Sequence, residues 1–132
     1  MLNASLTRKK MPTSYALIAA SVKDFTETPL ALSGNALTVL TARYLKKDEN
    51  GKPVEEPADM FRRVAGAVAG AEETFGAPEN VESSKALFFS MMAKGEFLPN
   101  SPTLMNAGRD LGQLSACFVL PVEDSMDSIF QA

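Results

Sequence analysis

The chain has 132 residues, the length of about one domain, of which 45% are hydrophobic and 22% charged. Its 13 basic and 16 acidic residues give a net charge of -3, which argues against a nucleic-acid partner because no large basic field is available. There is no histidine and one cysteine, Cys117, so an internal disulfide, a Ser-His-Asp triad, a Cys-His pair and most zinc sites are excluded. The remaining chemistry would have to use a thiol, carboxylates or a bound cofactor.

Residues 1–34 are predicted to form an N-terminal arm, since Pro12 and Pro29 interrupt any continuous helix. A basic cluster, 8–10, precedes a short apolar stretch, 15–20, which leaves a targeting peptide as an alternative. No apolar run approaches the roughly 18–20 residues of a membrane span. We therefore expect a cytoplasmic protein without a membrane partner.

A helical region is predicted over residues 35–96. Asn35 is the expected cap of a first helix that ends near Leu45, and the charged segment 46–51 then forms a turn. The apolar stripe of this first helix is Leu37, Leu40 and Tyr44.

Two more helices follow in this region. One begins at Pro57 and ends near Phe75, with Gly76 as its C-terminal cap; the other covers Asn80 to Lys94 and stops at Gly95. The predicted buried faces are Phe61, Val64, Val68 and Phe75 on the former and Leu87, Phe88, Met91 and Met92 on the latter.

The helical periodicity of the sequence ends after Gly95. The segment FLPNSPTLMNAG (97–108) contains two prolines and no helical period, so a loop with extended pieces is predicted. QLSACFVLPV (113–122) is apolar on both faces, which is typical of a strand buried on both sides, and Asp124 or Ser125 then caps a new helix. Such a strand needs neighbours that this sequence does not clearly supply. The pattern indicates an α-rich part of an α/β protein.

Three blocks of sequence resemble the opening of the catalytic chain of class II, adenosylcobalamin-dependent ribonucleotide reductases. They are residues 35–65, 97–108 and 113–130, in the right order and spacing. The resemblance implies a helical N-terminal region followed, over 97–132, by the start of a ten-stranded α/β barrel with 113–122 as its first strand. The sequence shows no sign of the ATP-cone regulatory module that some members of the family have.

The resemblance also implies a role for Cys117. In the family, adenosylcobalamin initiates a radical that is moved to a cysteine, and the thiyl radical removes the ribose 3′-hydrogen. A separate cysteine pair then delivers two electrons by closing into a disulfide as the 2′-hydroxyl leaves as water, and a thiol reductant such as thioredoxin reopens it. Cys117 matches one member of that pair. An inert buried cysteine is the alternative.

Substrate contacts are implied at two further positions. Ser101 matches a residue that contacts the phosphate of the ribonucleotide substrate, and Ala116 matches one whose main chain faces the nucleotide. A loop with exposed N–H and hydroxyl groups can hold an anion without a basic side chain. Without the resemblance, the favoured interpretation is that Ser101 caps a proline-containing turn.

Asp124, Ser125 and Met126 match the start of the family's allosteric specificity site, where a deoxynucleotide effector binds. The unpaired N–H groups of a helix N-terminus suit a nucleotide, and Asp124 would then partner a ribose hydroxyl rather than a phosphate. A simple helix cap is the alternative.

Several parts of the family's machinery are not found in these residues: the radical-bearing cysteine, the second reducing cysteine, the catalytic glutamate, the C-terminal cysteine pair and the cobalamin face of the barrel. We therefore expect a truncated product, one piece of a split gene or an excised piece, inactive without the remainder of the reductase. A non-enzymatic helical interaction module and a decayed fragment are the competing hypotheses.

Overall fold

A computed structural model of the chain describes residues 29–131. Within them the secondary structure is helical, and the one β feature is an isolated antiparallel bridge between Lys47 and Pro53. The predicted helical character of residues 35–96 is confirmed. The predicted N-terminal arm and its alternative, a targeting peptide, lie almost wholly outside the described residues. In chain order the elements are α1 Gly34–Arg43, α2 Pro57–Ala69, α3 Ala71–Thr74, a 3₁₀ turn Pro78–Asn80, α4 Val81–Ala93, α5 Ser101–Asn106 and α6 Met126–Gln131.

Helix α1 begins two residues earlier than predicted. Its cap is Ser33, whose Oγ accepts a hydrogen bond from the amide of Ala36 at 3.2 Å, and not Asn35. Serine and asparagine are equally good caps, so residue type alone does not decide between the two positions. Leu40 is buried as predicted, while Leu37 stays 42% exposed because α1 covers the core with a narrow stripe.

The charged segment after α1 forms the predicted turn. The Asp48 carboxylate accepts hydrogen bonds from the amides of Asn50 and Lys52, and Gly51 adopts a positive φ of 78°. A positive φ is strained for residues other than glycine, which explains the glycine at this position. The turn folds the chain back on itself and carries Glu55 to the end of α1.

Helices α2 and α4 make the most extensive packing between elements of the described residues. Pro57 occupies the first position of α2 as predicted, and the Asp59 carboxylate accepts from the amide of Glu56 at 3.2 Å. Phe61 and Val64 are buried, whereas Val68 is 37% exposed and Phe75 is 83% exposed. The prediction of one helix through Phe75 was wrong, since a break at Gly70 ends the apolar stripe.

Helix α4 agrees with its predicted range to within one residue, and Gly95 follows it at a φ of 71°. Its buried face differs from the prediction. Met92 is buried, but Leu87, Phe88 and Met91 are only partly covered. The core-facing residues are Ser84, Phe89, Ser90, Met92 and Ala93. The helix contains two pairs of adjacent apolar residues, Phe88-Phe89 and Met91-Met92. The sequence therefore does not show which member of each pair faces the core.

The segment predicted as a loop, 97–108, contains helix α5. Asn100 caps it: Oδ1 accepts from the Thr103 amide at 3.0 Å and from Thr103 Oγ1 at 2.6 Å. Pro102 lies in the first turn, where its missing N–H removes no intrahelical bond. The loop prediction treats this proline as a helix breaker, whereas in the structure it marks a helix start.

The segment 113–122, predicted to be a strand, does not form one in the described residues. It forms no ladder, and residues 110–127 are all exposed, including Val119, which is 100% exposed. A strand needs partners for its backbone groups. The apolar segments nearest in sequence cannot supply them, because 97–98 is exposed coil and 103–105 is helical. The helix predicted after it is confirmed as α6, where the Ser128 amide donates to Ser125 Oγ at 3.1 Å.

Candidate functional site

A cluster of three charged side chains joins the segments that surround α5. Arg63 donates to both carboxylate oxygens of Glu55, from Nε to Oε2 at 3.0 Å and from Nη2 to Oε1 at 2.8 Å. Arg109 Nη2 lies 3.4 Å from the same Oε1. The side chains of Glu55 and Arg63 are only 9% and 14% exposed. A bidentate arginine-carboxylate pair of this kind fixes orientation as well as distance.

The cluster also binds main-chain groups from distant parts of the chain. Arg63 Nη1 donates to the carbonyl of Ala107 at 2.6 Å, and Nη2 donates to that of Leu104 at 3.3 Å. These two hydrogen bonds satisfy carbonyl groups at the C-terminal end of α5. Arg109 Nη2 donates to the carbonyl of Tyr44 at 3.0 Å. The turn after α1, helix α2 and helix α5 are therefore held in one arrangement.

The surroundings of Glu55 lower the pKa of its carboxyl. Burial raises the pKa of its carboxyl, but the hydrogen bonds from Arg63 and from the Lys46 amide, together with the charges of Arg63 and Arg109, outweigh burial. The net pKa lies below the ordinary value of 4.5. The carboxylate is thus held in its charged form, which is the form that the two guanidinium groups require.

Ser101 is the first residue of α5, and its side chain is exposed. Its Oγ lies 2.9 Å from the phenolic oxygen of Tyr44, a residue 57 positions earlier in the chain. Thr103 and Leu104 of the same helix are buried, so α5 is anchored by one face while Ser101 faces outward. The structure thus gives Ser101 a hydroxyl partner that the sequence did not reveal.

Cys117 is a free, exposed cysteine, and Ala116 beside it is exposed as well. The start of their segment is tied to α5 at two points. Asn106 Nδ2 donates to the carbonyl of Gln113 at 2.9 Å, and Thr103 Oγ1, which shares its single proton with Asn100 Oδ1, lies 3.1 Å from the carbonyl oxygen of Leu114. The segment that carries Cys117 therefore leaves from the helix that carries Ser101.

The effector candidates lie further along, around the start of α6. The Glu123 amide donates to Ser128 Oγ at 2.9 Å, and the Ser125 amide donates to the Glu123 carbonyl at 2.8 Å. Asp124, Ser125 and Met126 are exposed. No hydrogen bond in residues 29–131 joins this group to Ser101 or to Cys117, so it is a separate region.

An apolar groove of about 520 Å³ lies between α2, α4 and the start of α5. Thr103 is its one polar lining residue; the others include Val64, Val68, Phe88, Phe97 and Leu114. A nucleotide has polar groups that such a lining cannot partner. The groove is therefore a poor match for the predicted substrate contacts.

The residues that sequence reasoning missed are Tyr44, Glu55, Arg63 and Arg109. The sequence pattern places Tyr44 only on the stripe of α1. A weak signal existed for Arg63, which lies between the buried Phe61 and Val64 and so near the core face of α2. Its partner Glu55 is eight residues away and outside the helix, so no helical spacing connects them.

Comparison with known families gives these features a context. Residues 30–112 match the family described as the ribonucleotide reductase, all-alpha domain. The chain belongs to the ribonucleotide reductase family. The match covers α1 through α5 and agrees with the helical structure of these residues. The resemblance predicted from the sequence is confirmed.

Individual relatives indicate the branch of the family. A vitamin B12-dependent ribonucleoside-diphosphate reductase of Mycobacterium tuberculosis is 46% identical over 123 residues, 93% of this chain and 17% of the relative. A vitamin B12-dependent ribonucleoside-diphosphate reductase of Thermoplasma acidophilum is 38% identical over 156 residues, which cover 77% of this chain and 20% of the relative. A ribonucleoside-diphosphate reductase subunit alpha of Helicobacter pylori is 32% identical over 96 residues, which cover 73% of this chain and 11% of the relative. The chain thus spans about a fifth or less of the length of these relatives.

Membrane-spanning and metal-binding features are absent from the described part of the chain. No helix within residues 29–131 is long and apolar enough to cross a bilayer. The same residues contain no group of three or more Cys, Asp or Glu side chains able to hold a metal ion.

Proposed function

We propose that this chain is the N-terminal portion of an adenosylcobalamin-dependent reductase that converts ribonucleoside diphosphates to deoxyribonucleotides for DNA synthesis. The diphosphate follows from the names of its B12-dependent relatives. The observation that carries the proposal is the tether between α5 and the Cys117 segment, because it connects the proposed phosphate contact with the proposed reducing thiol. The complete enzyme consists of this chain together with the remainder of the reductase.

Cys117 supplies one of two thiols that reduce the substrate. The two thiols lose two protons and two electrons and form a disulfide, while the ribose C2′–OH becomes C2′–H and one water leaves. The second thiol belongs to the remainder of the reductase, since Cys117 is the only cysteine of this chain. Its Cα must come within roughly 4.4–6.8 Å of that of Cys117. An exposed Cys117 is compatible with such an approach.

The tether limits where Cys117 can lie relative to α5. The carbonyl of Leu114 lies within hydrogen-bond distance of Thr103, and Cys117 is three residues further along the chain. Three residues of extended chain span at most about 11 Å. Ser101, at the start of α5, contacts the substrate phosphate through its hydroxyl. Ala116 offers its main chain to the nucleotide, and its side chain is not required. One short unit thus contributes to both ends of the substrate.

Residues 113–122 form the first strand of the catalytic barrel once neighbouring strands are present. Their exposed apolar side chains on both faces support this proposal, because such a strand is buried only beside neighbouring strands. We also propose the division of the chain into an arm, 1–34, a helical region, 35–96, and the start of the barrel, 97–132. In the complete enzyme the strand would replace its contacts with water by ladder bonds.

Asp124, Ser125 and Met126 contribute to the binding of a deoxynucleotide effector. The exposed start of α6 and the carboxylate of Asp124 support contact with a ribose hydroxyl. A thiol reductant such as thioredoxin restores the cysteine pair between turnovers, which requires the reducing conditions of the cytoplasm.

Adenosylcobalamin supplies the initiating radical in the complete enzyme. The groove between α2, α4 and α5 does not fit this cofactor, because its apolar lining cannot partner a corrinoid rich in amides. We therefore assign cobalamin binding to the remainder of the barrel.

The test is Cys117→Ser in the complete enzyme. Serine keeps the size of the side chain but cannot form a disulfide, so multiple turnover should be abolished while nucleotide binding and the thermal midpoint stay near those of the parent. The assay measures deoxynucleotide per enzyme with dithiothreitol, with Ser115→Ala as the matched control. Near-normal turnover with a lowered midpoint would instead identify an inert structural cysteine.

A further inference from the structure

We infer that Tyr44 is a positioning residue for the substrate phosphate, which it influences by orienting the hydroxyl of Ser101. The inference rests on the proposed function of Ser101. The observation is the contact of 2.9 Å between Tyr44 Oη and Ser101 Oγ, which joins the end of α1 to the start of α5. The contact joins a partly buried residue to an exposed one, so the serine remains accessible to a ligand.

Tyr44 is held in place from three sides. Its ring packs against the hydrophobic core, and its carbonyl accepts a hydrogen bond from Arg109 at 3.0 Å. The next residue, Leu45, is buried, and the one after it donates its amide to Glu55 at 2.7 Å. The phenol is therefore directed at α5 by a rigid section of backbone.

Helix α5 is held by the same cluster. Arg63 binds the carbonyls of Leu104 and Ala107 at the end of the helix, and Asn100 caps its start. The Glu55–Arg63–Arg109 cluster thus fixes both partners of the Tyr44–Ser101 contact. A preorganised hydroxyl pair loses little conformational entropy when a ligand binds.

The chemistry of the ligand decides the direction of the hydrogen bond. Phosphate oxygens are strong acceptors, so Ser101 must donate its proton to them. Its oxygen then has lone pairs but no second proton for the tyrosine, and Tyr44 must be the donor. A hydrogen bond received from Tyr44 polarises the serine hydroxyl and strengthens its bond to the anion. Phenylalanine would keep the ring but remove this donor.

The test measures equilibrium binding of a ribonucleoside diphosphate, and of the matching nucleoside without phosphate, to the complete enzyme. Five variants are compared with the parent: Tyr44→Phe, Ser101→Ala, Ser101→Thr, Tyr44→Phe combined with Ser101→Ala, and Tyr44→Phe combined with Ser101→Thr. Thr38→Val is the control, because it removes a hydroxyl of α1 that bonds only its own helix, at Gly34.

Tyr44→Phe should raise the Kd of the nucleotide by about 3- to 10-fold, the usual worth of one hydrogen bond, and leave that of the nucleoside unchanged. Adding Tyr44→Phe to Ser101→Thr, which keeps the hydroxyl, should raise the Kd by the same factor. Adding Tyr44→Phe to Ser101→Ala should raise the Kd no further, because the hydroxyl that Tyr44 orients is already missing. Binding is measured well below the thermal midpoint of each variant, so a small loss of stability does not obscure the result.

Each other outcome has one meaning. Normal nucleotide binding by Ser101→Ala would reject the phosphate role of Ser101 and the inference with it. Weak binding by Ser101→Ala with normal binding by Tyr44→Phe would reject the inference alone. An equal effect of Tyr44→Phe on nucleotide and nucleoside, or an undiminished effect beside Ser101→Ala, would assign Tyr44 a purely structural role.

Discussion

Residues 29–109 and residues 110–131 both contain large apolar side chains but differ in what those side chains contact. In the first region, Met60, Phe61, Val64 and Phe89 are at most 4% exposed. In the second, Phe118, Val119 and Leu120 are all more than 50% exposed. The comparison concerns the same chain and the same solvent, so the cause lies in the kind of secondary structure each region encodes.

A helix satisfies its backbone groups within one segment, so α1 to α5 need only each other to cover an apolar face. A strand obtains its hydrogen bonds from other segments. Residues 113–122 have strand-like side chains and no strand beside them in the described chain. The difference teaches that apolar patterning alone does not produce burial, because the partner must also be present.

The largest expected contrast is between two phenylalanines. Phe61→Ala should lower the free energy of unfolding of the chain by about 3–5 kcal/mol, since it empties a fully buried position. Phe118→Ala, at a side chain that is 63% exposed, should change it by less than about 0.5 kcal/mol. Urea unfolding followed by far-UV circular dichroism measures both, and equal losses would abolish the distinction between the regions.

The next contrast depends on pH. Glu55→Gln should cost about 3 kcal/mol at pH 7, because two guanidinium groups lose the carboxylate they share. The folded pKa of Glu55 lies below the ordinary value of 4.5, so its contribution is complete above that pH and is lost as the pH falls through the folded pKa.

Unfolding measured between pH 7 and pH 3 should therefore show a narrowing gap between Glu55→Gln and the parent. The exposed Glu49→Gln serves as the control. A gap that stays constant to pH 3 would mean that the charge of Glu55 does not stabilise the cluster.

The smallest expected effect is protection from hydrogen exchange in residues 113–122. Their amides should exchange nearly as fast as those of an unfolded peptide, while the amides of α2 and α4 exchange slowly. The measurement is hydrogen exchange of the isolated chain by mass spectrometry at peptide resolution. Strong protection of 113–122 would show that the segment finds a partner within this chain.

Much of the helical region could be predicted because its signals are local. Pro57 and Gly95 mark a helix start and a helix end through their own backbone restrictions, and the structure agrees at both. Gly76 also follows a helix, but that helix is the short α3 and not the one that begins at Pro57. Helix α5 could not be distinguished from a loop, because a cap residue followed by a proline, as in residues 100–102, is typical of both a turn and a helix start.

The arrangement of the candidate site could not be predicted in the same way. The contact of Tyr44 with Ser101 spans 57 residues, and Arg109 meets Glu55 across 54. Such pairs depend on how helices pack, which no periodicity encodes. Ser101 and Cys117 themselves were found only through resemblance, because neither residue type nor spacing distinguishes them from a cap and a core cysteine.

The central claim, that Cys117 donates electrons to the substrate, is tested most directly by trapping its product. The complete enzyme is reduced, freed of reductant and given a ribonucleoside diphosphate for one turnover, then alkylated and analysed by mass spectrometry. We predict about one disulfide between Cys117 and a cysteine of the remaining chain for each deoxynucleotide formed. Deoxynucleotide formed while Cys117 stays a free, alkylated thiol would contradict this role of Cys117.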